Sequence, residues 1–214
     1  MKWCLASAEQ GNLDAQFTLA TRYDQGRLTA PDSQRAVQWY ERAAGQAHLP
    51  AELALAGMFA EGRGVARDYA VAARWYEVAA RQGDVGAQYQ IGRSYLLGRG
   101  VATDHAAAAK WFEAAAGQGH SEAGFSLGRL LFQGLGVAQD YARAFAYCRP
   151  AAEQGQPEAE LQLAESYERG LGVRADLGAA IPWYKRAAEH GQVLAAFKER
   201  DFDVLLMDLN YARD

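Results

Sequence analysis

The chain has 214 residues, half of them hydrophobic, with 22 basic against 26 acidic side chains and a formal net charge of −4. Non-specific binding to nucleic acid or to an anionic membrane needs a basic surface, and this balance argues against both. No run of about 18 apolar residues occurs, so no spanning helix is predicted.

Residues 1–14 read as the second half of a helical repeat and carry Trp3. Glu9 interrupts this stretch before the apolar core of a signal peptide can develop. As it stands the chain is expected in the cytoplasm, and in the periplasm if a leader has been removed. Trp3 also starts a comb: Trp3, Trp39, Trp75, Trp111 and Trp183 are separated by 36, 36, 36 and 72 residues, and Tyr147 takes the vacant position. Self-similarity at such a period marks a stack of identical supersecondary units, each contacting its neighbours. The tryptophan row is expected to be buried.

Five units follow, starting at Ala15, Ala51, Ala87, Ala123 and Ala159. Each places a small residue, an aliphatic, a second small residue and then an aromatic or leucine at offsets 0, 4, 5 and 8. Ala87, Ile91, Gly92 and Tyr95 are one example. These offsets share one face of a helix. A loop then reads Gly62-Arg63-Gly64-Val65, Gly98-Arg99-Gly100-Val101, Gly134-Leu135-Gly136-Val137 and Gly170-Leu171-Gly172-Val173. Its first glycine suits a left-handed helix C-cap, and its valine is placed to fold back on the helix pair. Asp68, Asp104, Asp140 and Asp176 are placed to cap a second helix. That helix carries the comb residue, an Ala-Ala pair and a closing Gly83, Gly119, Gly155 or Gly191. The first unit departs, with Leu28 and Thr29 in the loop and Ala47 at the closing position. Pro150 and Pro182 fall within second helices, where each removes a backbone donor and favours a kink.

This pattern resembles the Sel1-like repeat, a relative of the tetratricopeptide repeat, from residue 3 to about 196. The resemblance implies an all-α, superhelical α/α solenoid of antiparallel helix hairpins with a 36-residue period. It also implies a protein-binding scaffold with its first helices lining a concave groove. Residues 197–214 leave the comb and are expected to cap the last repeat. Within them, residues 202–210 are similar to the phosphoacceptor strand of receiver domains, which would make Asp208 an acceptor and the tail a remnant of a signalling fusion.

Candidate chemistry is sparse. Gly124-Phe125-Ser126-Leu127-Gly128 matches the nucleophile-elbow string, but that motif needs a strand-turn-helix setting and here falls within a first helix. A hydrolase acting on cell-wall or β-lactam substrates, proposed for similar proteins, is the alternative that this serine would serve. His48, His105, His120 and His190 show no metal-ligand spacing. His48 and His120, at one repeat position, are expected to be solvated. Cys4 and Cys148 stand four periods apart, too far to pair, and read as small buried apolar residues. No cofactor is implied.

Function is therefore sought where repeats differ. At offsets 2, 6, 9 and 10 the third and fourth units carry Tyr89, Arg93, Leu96, Leu97, Phe125, Arg129 and Phe132. Arginine and aromatic residues dominate protein-binding hot spots, and arginine grips carboxylates with two hydrogen bonds. The expected partner is a protein or peptide with an acidic or C-terminal carboxylate anchor, not nucleic acid or membrane. The N-terminal edge around Trp3 offers a second apolar surface, expected to serve either self-association or an upstream repeat. The expectation is a non-catalytic adaptor.

Overall fold

The computed structural model describes residues 2–26 and 31–190; the loop positions Leu28 and Thr29, Gly191, the expected cap 197–214 and Asp208 lie outside them. Among the described residues there are eleven helices and no strand. A short α1 (Lys2–Glu9) is followed by α2 (Leu13–Gln25), α3 (Ser33–Ala44), α4 (Leu49–Glu61), α5 (Tyr69–Arg81), α6 (Val85–Leu97) and α7 (His105–Gly117). Then come α8 (Ser121–Gln133), α9 (Tyr141–Glu153), α10 (Pro157–Arg169) and α11 (Leu177–Glu189). The chain is an all-α solenoid of antiparallel hairpin repeats. It divides into two compact units, Met1–His120 and Ser121–Asp214, and each is taken by itself.

In the first unit the hairpins are α2/α3, α4/α5 and α6/α7; in the second they are α8/α9 and α10/α11. Each first helix begins two residues ahead of its leading alanine. The capping aspartates perform as expected: Asp68, Asp104, Asp140 and Asp176 each accept from a first-turn amide of the following helix. Their own backbone N–H groups are also used. Each donates to the carbonyl of the offset-8 residue, Phe59, Tyr95, Leu131 and Tyr167 in turn, at 2.8–3.0 Å. One aspartate thus starts the second helix and ties it to the end of the first.

The two glycines of each loop have different tasks. Gly62, Gly98 and Gly170 cap the first helices in the left-handed region, at φ 77°, 65° and 68°. The second glycine is a docking point. At Gly100 a Cβ would lie 2.0 Å from the carbonyl oxygen of Tyr69, the first residue of the preceding hairpin's second helix. Gly172 stands in the same relation to Tyr141 in the second unit. Pro150 and Pro182 do lie inside α9 and α11, which run through them.

At the closing position of the first repeat, Ala47 takes φ 59°, a left-handed value that glycine fills in later repeats. A non-glycine residue there pays about 1–2 kcal/mol. Ala47→Gly is therefore expected to stabilise the chain by about 0.5–1 kcal/mol after the added freedom of the unfolded glycine is subtracted. Urea denaturation measures this, and a loss of stability would contradict the assignment.

The core differs from the expected row of tryptophans. Trp39 is nearly buried, at 9% exposure, but Trp75, Trp111 and Trp183 are half-buried and Trp3 is 91% exposed. In α3, α7 and α9 the next residue along the helix points inward instead: Tyr40 (4%), Phe112 (0%) and Cys148 (0%). The tryptophans lie across the flank of a core cluster, Trp75 and Trp111 in the first unit and Trp183 in the second. A helix interface lined with alanine admits one large residue per turn. The residue facing the small position of the first helix takes that place, as Phe112 does against Gly92.

A ladder of buried polar side chains that the sequence does not reveal lies in the first unit, with a related rung in the second. At offset 1, Gln16, Glu52, Gln88 and Glu160 are 0–6% exposed. In the first unit Gln46, Gln82 and Gln118, 30 residues on, donate to them at 2.9, 2.5 and 2.9 Å. Glu160 instead meets His190 at 2.8 Å and Arg186 at 3.0 Å, the latter an ion pair off the hydrogen-bond axis. Gly124 breaks the ladder, and Ser121 donates to Gln154. Burial pushes the Glu52 carboxyl above its usual range, against the Gln82 hydrogen bond and the nearby His48. A raised carboxyl contributes stability that is complete at low pH and lost as pH rises through its folded value. Glu52→Gln, which copies the neighbouring rungs, is expected to raise the thermal midpoint by a few degrees at pH 7 and to leave it unchanged at pH 4. An equal shift at both pH values would rule out ionisation as the cause.

Candidate functional site

The seven candidate binding residues fall in both units. Tyr89, Arg93, Leu96 and Leu97 stand on α6 in the first, and Phe125, Arg129 and Phe132 on α8 in the second. On α6, Arg93 lies one turn beyond Tyr89, and its guanidinium carbon sits 5.6 Å from the ring centroid. Tyr89 is itself wedged between Phe112 at 5.9 Å and His120 at 4.5 Å. Leu96 is half-buried and Leu97 is 49% exposed. On α8 the same spacing sets Arg129 6.0 Å over Phe125. Phe125 is 6% exposed and belongs to the second unit's core cluster, so it supports Arg129 from below. Phe132 is half-buried with its ring edge-on to Tyr141 at 5.1 Å.

Arg93 also borders a shallow pocket of about 90 Å³ among α4, α5 and α6. Its walls include Ala60, Tyr69, Tyr76 and Leu97, with Arg99 from the glycine loop. Burial, together with Glu61 nearby, raises the Tyr76 phenol, while the positive Arg93 opposes this. Tyr76 is therefore a neutral hydrogen-bond donor over the physiological range. The site combines fixed cations, a phenol and exposed apolar surface. Such a set binds anions and apolar side chains.

The other sequence candidates have structural employment. Ser126 lies within α8 and donates to the Glu122 carbonyl at 2.8 Å, a helical back-bond without the turn a nucleophile elbow requires. His48 and His120 are half-buried, not solvated. Their rings pack on Phe17 at 4.7 Å and Tyr89 at 4.5 Å, because the offset-2 aromatic reaches the loop that closes its repeat. Both cysteines are free. Cys148 is buried, with its thiol pushed up to about 12 by desolvation, whereas Cys4 is half-buried and approaches the Ala15 carbonyl. No group of three or more metal-ligating side chains occurs among the described residues.

Helix hairpins repeating every 36 residues define an α-helical repeat protein. The chain belongs to the Sel1 repeat family: its model matches residues 13–48, 49–84, 85–120, 121–156 and 157–192. Sel1 repeat proteins generally act as protein-interaction scaffolds, and the fold is typically non-catalytic.

Among solved structures, a protective antigen of uropathogenic Escherichia coli with an SLR fold is 34% identical, with a TM-score of 0.79 over 92% of this chain. The match spans 42% of that protein's length. A Sel1 repeat protein from Oxalobacter formigenes is 32% identical, with a TM-score of 0.78 over 89% of this chain and 81% of its own. A comparison with curated proteins returned no match.

Proposed function

We propose that this chain is a non-catalytic adaptor that binds a protein or peptide along the outward flank of its first helices. The observation that carries this reading is Arg93, held over Tyr89 at a pocket mouth beside exposed Leu97 and free of any ion pair among the described residues. An arginine kept in place by an aromatic ring loses little side-chain freedom on binding, which favours a hot spot. The recurrence on α8, Arg129 over Phe125, supports a second contact of the same chemistry. An acidic anchor on the partner satisfies both the cations and the exposed apolar rim.

Affinity capture with wild type beside the Arg93→Glu, Arg129→Glu variant tests this. A partner held by wild type and lost by a folded variant is the expected result. A partner retained on both, with unchanged affinity, would rule out the first-helix flank as the binding surface.

A further inference from the structure

The first unit contains an internal control for its own pocket. Between the first and second hairpins, Arg63 of the glycine loop is paired with Asp24 at the end of α2, and with Glu61 of α4 at 3.2 Å. Beside them, Tyr40 shares a 3.2 Å hydrogen bond with the Thr21 hydroxyl. One period later the donors are all kept: Arg63 becomes Arg99 and Tyr40 becomes Tyr76. Their acceptors are all removed. Asp24 becomes Ala60, Glu61 becomes Leu97 and Thr21 becomes Gly57. A further cation is added, since the position after Gly57 in the series is Arg93. The space left by the acceptors is the pocket described above, walled by Ala60, Tyr69, Tyr76, Arg93, Leu97 and Arg99. Neither Arg93 nor Arg99 forms an ion pair among the described residues. Glu61, whose charge reaches Tyr76, is already bound by Arg63.

We propose that this pocket receives an aspartate or glutamate side chain from a partner peptide, in the place that Asp24 occupies one repeat earlier. This rests on the adaptor reading and names its anchor. The incoming carboxylate accepts from Arg99 and Arg93 as Asp24 accepts from Arg63, and charge-assisted bonds of this kind are the strong ones. The Tyr76 phenol supplies a third donor. The rim exposes Leu97 (49%) and Tyr69 (40%), so an acid carried within a chain between apolar neighbours covers surface that a small free carboxylate leaves in water.

The test uses the full chain and two fluorescein-labelled peptides, Ac-GSLFELFSG-amide and the same sequence with Glu→Gln. The glutamate peptide is expected to bind wild type at least about tenfold more tightly, and this preference should weaken with salt. Ala60→Asp returns the internal carboxylate to its place. It is expected to raise the thermal midpoint and to erase the peptide preference, whereas Ala60→Asn, uncharged and of the same shape, does neither. A preference that survives in Ala60→Asp overturns the proposal, as does equal binding of the two peptides or no binding of either at millimolar concentration. Displacement of the peptide by submillimolar glutarate also overturns it, by making a small carboxylate the ligand. A protein partner lost by the arginine reversals but retained by Ala60→Asp sinks this anchor and leaves the adaptor reading standing.

Discussion

Gly100→Ala is expected to destabilise the protein by about 3 kcal/mol or more, a drop in thermal midpoint of roughly 6–12 °C for a chain of this size. Two costs combine. Gly100 lies at φ 76°, where an L side chain pays about 1–2 kcal/mol. The new methyl would also stand 2.0 Å from the Tyr69 carbonyl oxygen and 2.6 Å from the Ala70 amide nitrogen, so backbone must move. Overpacking of that kind adds about 1–3 kcal/mol. Gly83→Ala separates the two effects. Gly83 sits at φ 94° with nothing within 4 Å of the added methyl, so it pays for conformation alone. Urea denaturation of both variants gives the comparison. If Gly100→Ala proves no worse than Gly83→Ala, the loop does not dock on the preceding hairpin.

Phe112→Ala is expected to cost about 3–5 kcal/mol, the usual range for emptying a fully buried aromatic site. Phe112 is wholly buried and lies over Gly92, whose missing side chain makes room for the ring: a Cβ there would come within 2.7 Å of it. The half-buried Trp111, its neighbour in sequence, should cost clearly less when truncated. Trp3→Ala, at a site 91% exposed, should fall within about 0.5 kcal/mol of wild type. The larger loss at Trp111 would restore the tryptophan comb as the core row.

The misplaced core row shows where sequence reasoning stopped. The comb established the period without ambiguity, because a residue as large as tryptophan is rarely repeated by chance. It could not establish direction. In second helices such as Tyr69–Arg81, alanines stand at 70, 72, 73, 79 and 80, so apolar residues surround the axis and the pattern does not select one face. Which face is inside was settled by the neighbouring helix, whose small residue at Gly92 or Gly128 accepts Phe112 or Cys148. The polar ladder was hidden for the converse reason. A glutamine or glutamate at offset 1 reads as solvent-facing until its partner, 30 residues on, is brought beside it.

For the candidate site, residue types were legible and assembly was not. Arg93 and Tyr89, four apart on one helix, meet by helical geometry alone. That Phe125 is buried in the core instead of facing a partner, and that Arg99 joins Arg93 at one pocket, depended on how successive hairpins pack.

By itself, the sequence determined the repeat length, the helix ends, the aspartate caps and the left-handed first glycines. The period is written in the comb itself, and the helix ends, caps and first glycines are each decided within about a dozen residues by backbone sterics and hydrogen bonds to near neighbours. Only the tertiary structure decided the inward face of each second helix, the use of the second glycine as a docking point, the buried polar ladder and the cationic pocket at Ala60. These depend on which groups residues about 30 to 40 positions apart present to one another, and that is fixed when one hairpin packs on the next.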